Sequence, residues 1–527
     1  MKFKKHSSGT PTEAALRALH QNTDCNNPMS SSISNNEQQL RSIFHDCSDV
    51  VFHNAPIPMQ VETLAIYIIG LSDTKHLDEL MLNQLIASHS QEPLRSDRLD
   101  GVESVFQKRL VPVSMSRKVT SISEVVDSVL KGEVVFLFEG ESQGLAVCVP
   151  GTEGRAVEDP PSEPVIRGPR EGFVERLATN TSLLRRRLRS AHLKIETFSI
   201  GTLSHTEIAL VYVKSIVKEE LLHDVRNRLQ RIQIDGVLES GYIEEFITDT
   251  PYSPFPQVQN TERPDVVIGS ILEGKVAVLT EGTPIALVLP MTFWTGLQAS
   301  EDYYERSIIA TPIRWLRILF MSVSLLLPSL YVSLVSYDHP ALPTNLLLSI
   351  ASSQRLSPFP AIIETFLMEI TFEALREAGV RLPKGVGSAV TIVGGIVIGQ
   401  AAVQAGFISA PVVIVVATTG IASFIIPRYN FGLAFRLLRF PLLLLAGFMG
   451  FFGLMIGILA IIVHLAALRS FGLPYLYPVA PLSPEGLKDV FIRKTWFNMG
   501  SRPRPAAPQN HFRIPPAEEP DSRIQDE

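Results

Sequence analysis

The stretch ILFMSVSLLLPSLYVSLVS, residues Ile318–Ser336, contains no charged side chain in nineteen consecutive residues. A helix needs roughly 20 mostly apolar residues to cross the hydrocarbon layer of a bilayer, so this stretch predicts a membrane span. Two further stretches, Val386–Gly406 and Ile408–Ile426, are also uncharged. The sequence therefore predicts a membrane domain in the C-terminal half of the chain.

A fourth apolar block, Phe431–Leu468, is interrupted only by Arg436, Arg439 and His464. At about 1.5 Å of rise per residue, the block is far longer than one crossing requires. It is either a helical hairpin broken near Gly447–Gly453 or an interfacial helix followed by one span. The membrane domain, residues 301–470, is therefore predicted to contain five or six helices.

Between these blocks, residues Pro360–Gly379 read as a helix, because they begin with Pro and end with Gly. Glu369 and Glu373 share one helix face with Glu377, at i, i+4 and i+8. Carboxylates at membrane depth are costly unless they face water or a partner, so we expect an ion path that uses Glu369 and Glu373, with Glu364 as a weaker candidate. The alternative is a surface amphipathic helix. The opposite face is predicted to pack against the spans, through Leu367, Met368, Ala374 and Leu375.

The span Val386–Gly406 carries a row of small residues, Gly395, Gly399 and Ala402. Small residues at this spacing allow helix backbones to approach closely. In lipid this close packing stabilises helix association, because burial of apolar surface contributes little there. These three residues are therefore predicted to be a helix-packing face and not a pore wall.

The N-terminal half is predicted to be a cytosolic, mixed α/β region. The whole chain has 47 basic and 53 acidic residues, a net charge of −6, and only three cysteines, which does not suggest a disulfide framework. The predicted order is a disordered leader (1–38), a first α/β subdomain (39–155), a connector with a second α/β subdomain (156–300), the membrane domain and a cytosolic tail (471–527) that is Pro-rich and disordered at its end. The predicted fold class is α+β, with two related α/β subdomains before an all-α multi-pass membrane domain.

The two subdomains are predicted from an internal repeat. The sequence VLKGEVVFLFEGESQGLAVCVP (Val129–Pro150) matches ILEGKVAVLTEGTPIALVLP (Ile271–Pro290). In each copy two glycines bound the strands of a hairpin, as turn glycines do. Strands around Leu64 and Ile208 repeat at a similar offset.

A basic cluster lies between the copies, at Arg185, Arg186, Arg187 and Arg189. Such a cluster can meet anionic membrane lipid or an acidic subunit. The alternative is a solvated face of a helix.

The sequence lacks the motifs of several enzyme classes. The nearest approach to a phosphate-binding loop, from Gly269 to Lys275, has Val276 where a metal-binding Ser or Thr is needed. We find no His-Glu-x-x-His, Gly-x-Ser-x-Gly or Cys-x-x-Cys motif. Basic and aromatic residues are not interleaved as a nucleic-acid surface requires. We therefore expect no enzyme, catalytic residue, metal or cofactor, and no nucleic-acid partner.

Several motifs together resemble the GerA family, the A subunits of nutrient germinant receptors of endospore-forming bacteria. The resemblance extends from about Ser48 to Asn498. The motifs in the soluble half are GPREGFVE from Gly168, TNTSLLRRR from Thr179, IDGV from Ile234, SGYIEE from Ser240, PFPQ from Pro254 and TERPD from Thr261. Those in the second half are EDYYE from Glu301, EALREAGVRLP from Glu373 and IVGG from Ile392.

The resemblance implies a subunit of the inner membrane of the dormant spore. It implies a permease-like B subunit that binds the nutrient and a lipoprotein C subunit as partners. It also implies a homo-oligomer that forms a nutrient-gated channel for monovalent cations. A secondary transporter and a non-conducting membrane scaffold remain alternatives, although a transporter predicts inverted repeats among its spans, whereas the visible repeat lies in the soluble half.

The distribution of basic residues predicts a cytoplasmic N-terminal half and a cytoplasmic tail. Arg306, Arg314 and Arg317 precede the first span, whereas the segment Tyr337–Ser357 after it carries only one arginine or lysine, Arg355. A cytoplasmic tail requires that Phe431–Leu468 crosses twice, which gives six spans.

Overall fold

The computed structural model describes residues 27–56, 62–72, 116–149, 159–160, 162–355, 357–382, 394–395, 397–484, 486–502, 510 and 513. The chain forms two compact units. The first comprises Met1–Thr248, Val258–Pro290 and Thr495–Glu527, and the second comprises Asp249–Gln257 and Met291–Lys494. The second unit thus includes the predicted membrane domain and the first part of the predicted tail.

The first unit combines antiparallel sheets with helices, which confirms a mixed α and β composition. Its first half contains α1 (Ile33–Ile43), β1 (Val50–Pro56), β2 (Glu62–Ile68), β3 (Ser116–Val119), α2 (Ile122–Leu130), β4 (Val134–Phe138) and β5 (Gly144–Val147). Its second half contains α3 (Leu177–Arg187), β6 (Leu193–Ile200), β7 (Thr206–Val213), α4 (Glu219–Arg231), α5 (Ser240–Ile247), β8 (Gln259–Thr261), α6 (Pro264–Ile271), β9 (Val276–Thr280) and β10 (Ala286–Leu289).

The two halves of this unit repeat one topology. The first sheet has the order β1-β2-β4-β5-β3, the second has the order β6-β7-β9-β10-β8, and every pairing is antiparallel. The repeated hairpins are β4–β5 and β9–β10. Gly140 and Gly282, between their strands, have φ of 85° and 89°, which only glycine adopts without strain.

The repeat also includes α1, part of which falls within the predicted leader. In α1 the amide of Asn36 accepts a hydrogen bond from the Ser30 backbone N–H and donates one to the Ser30 carbonyl. Asn180 in α3 makes the same two bonds with Val174. The leader boundary at residue 38 is therefore wrong, because residues 30–38 belong to a folded copy; residues 1–26 lie outside the described part of the chain.

The two subdomains are joined by a buried ion pair. The Arg185 guanidinium in α3 donates to both carboxylate oxygens of Asp49, at 2.7 and 2.9 Å, and to the carbonyl of Leu193, at 2.9 Å. Its side chain is 0% exposed, so Arg185 does not belong to a basic surface. Two arginines of the predicted basic cluster, Arg186 and Arg189, are exposed. The third, Arg187, is partly exposed and pairs with Glu171.

The second unit is mainly helical. It contains α7 (Ser307–Ser336), α8 (Thr344–Gln354), α9 (Ala361–Arg381), α10 (Ala410–Phe424), α11 (Tyr429–Ala467) and the short strands β11 (Arg469–Ser470) and β12 (Leu473–Pro474). Residues 397–404 are also helical. The part of the predicted span Val386–Gly406 from 386 to 393 lies outside the described residues. Helices α7 and α11 are long and apolar enough to cross a membrane.

Helix α11 is a hairpin of two helices. Gly450 has φ 61° and ψ −145°, values that no α-helix contains, and it separates the two halves. A Cβ added at Gly453 or Gly457 would overlap Leu445 or Leu442, so the second half packs back along the first. Of the two alternatives for this block, the structure has the hairpin.

Candidate functional site

The face of α9 that packs against other helices carries charged as well as apolar residues, which the sequence did not predict. Its buried residues include Glu364, Glu369 and Arg376 together with the apolar Met368. Of the four residues predicted to pack against the spans, Met368 is buried and Leu375 is partly buried, whereas Leu367 is 43% exposed and Ala374 is also exposed, so the prediction is wrong for these last two. In a bilayer, apolar side chains can face lipid, whereas charged groups need protein partners, which explains why charged residues lie on the packed face.

The Glu369 side chain has no exposed surface. Its Oε2 accepts a hydrogen bond of 2.6 Å from Nη1 of Arg439 in the first half of α11. The Arg439 side chain is 1% exposed. The pair therefore connects α9 to α11 without solvent.

The same guanidinium also binds α7. Nε of Arg439 donates to the Ser324 carbonyl at 2.8 Å, and Nη2 donates to the Ser324 hydroxyl at 3.1 Å. Pro328 lies four residues after Ser324 in α7 and has no N–H, so the Ser324 carbonyl lacks the i+4 donor of a regular helix. Among apolar helices such a carbonyl needs a donor from elsewhere, and Arg439 supplies it.

Glu364 is also fully buried, but its hydrogen-bond donors are uncharged. Its Oε2 accepts from the backbone N–H of Ser409 at 2.9 Å and from the Ser409 hydroxyl at 2.7 Å. Ser409 is the residue that precedes α10. Glu364 therefore links the first turn of α9 to the start of α10.

The remaining two glutamates of the acidic row pair with arginines on α9 itself. Glu373 forms an ion pair with Arg376, which also donates to the Ser423 hydroxyl of α10 at 3.4 Å. Glu377 pairs with Arg381, and both side chains are largely exposed. The row thus changes from fully buried at Glu369 to solvated at Glu377.

A second charged cluster lies at the start of α7. Asp302 accepts from Arg314 at 3.1 Å and from Arg317 at 2.7 Å, and all three side chains are nearly fully buried. Arg314 also pairs with Asp489 at 2.8 Å. These arginines, which the sequence places before the first span, therefore lie inside a helix that begins at Ser307 and join it to the chain after α11.

The predicted packing residues differ from one another in their surroundings. A Cβ at Gly399 would lie 3.4 Å from the Val413 side chain of α10, whereas no described atom lies within 4 Å of a Cβ at Gly395. Ala402 is partly buried in the core around α9 and α10. Gly395 and Gly399 also line an apolar cavity of about 320 Å³.

Closer helix contacts occur at glycines that the sequence did not single out. A Cβ at Gly420 of α10 would overlap the ring of Phe372 on α9, and a Cβ at Gly447 of α11 would overlap Ile362. Neither glycine belongs to the small-residue row 395–402. The residues missed at the acidic site, Arg439 and Ser409, carried one signal: Arg439 is a charge within an otherwise apolar block.

The described residues contain no group of three His, Cys, Asp or Glu side chains placed to hold a metal ion. What the acidic site can do is hold helices together through charge and, when a pair separates, offer a carboxylate to a cation. Long apolar helices joined by buried charged pairs, together with a folded α/β unit, are typical of an integral membrane protein with a large polar domain.

A family model described as Bacillus/Clostridium GerA spore germination protein matches residues 38–505. This chain belongs to the GerA family. It is 44% identical over 488 residues to the uncharacterized membrane protein YfkQ of Bacillus subtilis (strain 168), and the match covers 93% of each chain. It is 40% identical over 487 residues to spore germination protein KA of the same organism, and this match covers 92% of this chain and 88% of the relative.

Among solved structures, the chain is similar to the N-terminal domain of the A subunit of the Bacillus megaterium spore germinant receptor GerK3. The two are 26% identical with a TM-score of 0.39, and the match covers 50% of this chain and 96% of that one.

Proposed function

We propose that this protein is the A subunit of a nutrient germinant receptor in the spore inner membrane and that it oligomerises into a nutrient-gated cation channel. Membership of the GerA family and its relationship to proteins named for spore germination support the receptor role. The observation that carries the channel role is α9, which brings Glu364, Glu369 and Glu373 into an apolar helical unit. Carboxylates at such a site attract cations and exclude anions.

In the described conformation each of these three carboxylates is engaged. Glu369 is held by Arg439, Glu373 by Arg376, and Glu364 by Ser409. A carboxylate neutralised by an arginine does not concentrate cations. We therefore assign this conformation to the closed state of the proposed channel.

We further propose six spans, with the N-terminal unit and the tail both cytoplasmic. Within the helical unit, the Phe293 N–H donates to the Tyr475 carbonyl at 2.9 Å, and Arg314 pairs with Asp489. These contacts bring the chain before α7 and the chain after α11 to one end, as an even number of crossings requires. Protease protection of a C-terminal epitope in oriented vesicles tests this topology, and an epitope on the opposite side from the N-terminal unit would contradict it.

The proposed partners are a permease-like B subunit and a lipoprotein C subunit. Their support is the family resemblance. The test is co-purification from membranes of a tagged chain expressed with the two candidate subunits from the same organism. If the tagged chain purifies without either subunit under conditions that preserve its own oligomer, this part of the proposal is wrong.

The channel role is tested by the ratio of K⁺ to Cl⁻ flux in proteoliposomes, because this ratio does not depend on how many channels are open. Glu369→Gln, Glu373→Gln and Glu364→Gln remove charge with little change of shape. We expect the ratio to fall when a carboxylate of the path is removed. The matched control is Glu377→Gln, since Glu377 is exposed beside Arg381 on the same helix.

If all three variants assemble and keep the wild-type ratio, these carboxylates are not in the ion path. Wild-type vesicles without any flux under any tested nutrient would favour a non-conducting scaffold instead. Flux that saturates with a solute and is coupled to it would favour a secondary transporter.

A further inference from the structure

Three helices of the membrane unit meet at one side chain. Arg439 of α11 donates to the Glu369 carboxylate of α9 and to both the carbonyl and the hydroxyl of Ser324 in α7. The Arg439 and Glu369 side chains and Ser324 are at most 1% exposed. The contact is therefore a dry, directional connection between three helices.

The bond to α7 is made at a break in that helix. Pro328 removes the N–H that would close the hydrogen-bond ladder on the Ser324 carbonyl, and proline is a common site of helix bending. The missing bond is replaced by a donor from another helix. Any movement of α7 about Pro328 that separates Ser324 from α11 therefore leaves a carbonyl without a partner among apolar side chains.

The bond to α9 depends on the same side chain. Because one planar guanidinium serves both acceptors, a movement that separates α7 from α9 cannot keep both of its contacts: Arg439 leaves either Glu369 or Ser324. The second carboxylate oxygen of Glu369 has no hydrogen-bond partner among the described residues, so Arg439 supplies the hydrogen bond that this carboxylate accepts there. The two contacts are therefore coupled through Arg439.

We propose that Arg439 is the closed-state latch of this protein: it holds α7, α9 and α11 together and neutralises Glu369, and its release both frees the bend at Pro328 and exposes the Glu369 carboxylate. The latch rests on the proposed channel function, which it extends by naming the residue that keeps the path closed. Arg439 is a positioning residue, since it acts through Glu369 and Ser324.

The test uses the full chain in proteoliposomes loaded with K⁺, and measures basal K⁺ efflux without nutrient. Arg439→Gln removes the latch, and Pro328→Ala weakens it by giving the Ser324 carbonyl an N–H from its own helix, with no change of charge. Couplings between sites typically shift an equilibrium by about 5- to 150-fold, so we expect basal efflux to rise by about tenfold or more in Arg439→Gln and by less in Pro328→Ala. Pro312→Ala, at an exposed proline near the start of α7, is the matched control and should leave efflux unchanged.

A second measurement separates the latch from the channel. Thr365 is fully buried on the same face of α9, one turn before Glu369. In a Thr365→Cys background, we expect a charged, water-soluble thiol reagent to label position 365, read by peptide mass spectrometry, only when Arg439→Gln is also present.

The outcomes are distinct. Raised efflux with raised labelling supports both the latch and the channel. Raised labelling with unchanged efflux supports the latch and contradicts the channel. Unchanged labelling, with efflux in Arg439→Gln and Pro328→Ala equal to the Pro312→Ala control, overturns the latch.

Discussion

Replacing Arg185 by methionine should loosen the joint between the two subdomains of the first unit. The Arg185 guanidinium donates to both oxygens of Asp49 and to the Leu193 carbonyl in buried hydrogen bonds, and to the Ser190 carbonyl in a partly buried one. The Arg185→Met variant leaves a buried carboxylate with no counter-charge. Removing one partner of a buried ion pair costs about 3–5 kcal/mol.

Amide hydrogen exchange measures this loss of stability at the contact between the subdomains. The Ile195 N–H donates to the Asp46 carbonyl at 3.0 Å across the joint, beside the ion pair. Because each 1.4 kcal/mol is a factor of ten, exchange at Ile195 should accelerate roughly a hundredfold to several thousandfold, if it occurs through opening of the contact between the subdomains. The matched control is Arg187→Met on the same helix, since the Arg187 partner Glu171 is 53% exposed and surface pairs contribute about 1 kcal/mol or less.

The double variant Asp49→Leu with Arg185→Met provides a further check. Replacing both members of a buried ion pair by apolar residues is often neutral, so the double variant should recover much of the protection at Ile195. Equal exchange at Ile195 in Arg185→Met and Arg187→Met would refute the view that the Arg185–Asp49 pair holds the subdomains together.

Three other substitutions have clear expected outcomes. Burial, with the nearby Glu239 carboxylate, raises the pKa of Glu244 from 4.5 to about 7, so its contribution to stability is present below pH 4.5 and is lost as the pH rises to about 7. Glu244→Gln should therefore slow limited proteolysis of α5 at pH 8 but not at pH 4.5; equal protection at both pH values would contradict this. Gly420→Ala should lower the amount of folded protein more than Gly395→Ala, because only the first Cβ overlaps a neighbour, the Phe372 ring. Gly399→Leu should reduce the oligomer on native gels more than Gly395→Leu, and the reverse order would show that Gly395 lies at a contact between subunits.

In the first unit, the strands and helices could be predicted from the sequence better than the boundaries of its subdomains. The repeated hairpins are visible because their apolar strands and turn glycines recur in the same order. The polar composition of α1 resembles that of the segment before it, which is why the sequence predicts a disordered leader up to residue 38. Asn36 and Asn180 each bind the backbone six residues earlier, and this equivalence shows that α1 belongs to the repeat.

The acidic residues of α9 could be identified from sequence, but their partners could not. Glu369 pairs with a residue 70 positions away and Glu364 with one 45 positions away. Such pairs depend on how each helix is rotated about its own axis. In a soluble core apolar residues face the protein, but in lipid they can face outward, so apolar residues such as Leu367 of α9 do not indicate which side of the helix meets its neighbours.

The charged contacts on the packed face of α9 also explain why the proposed latch is suited to switching. Apolar helix surfaces pack nearly as well against lipid as against one another, so they do not strongly favour one packing of the bundle. The packing is then decided by a few directional contacts, and Arg439 of α11 makes such contacts with both α9 and α7. A signal that weakens Arg439's contacts would therefore change which packing is favoured, without having to overcome a large apolar interface.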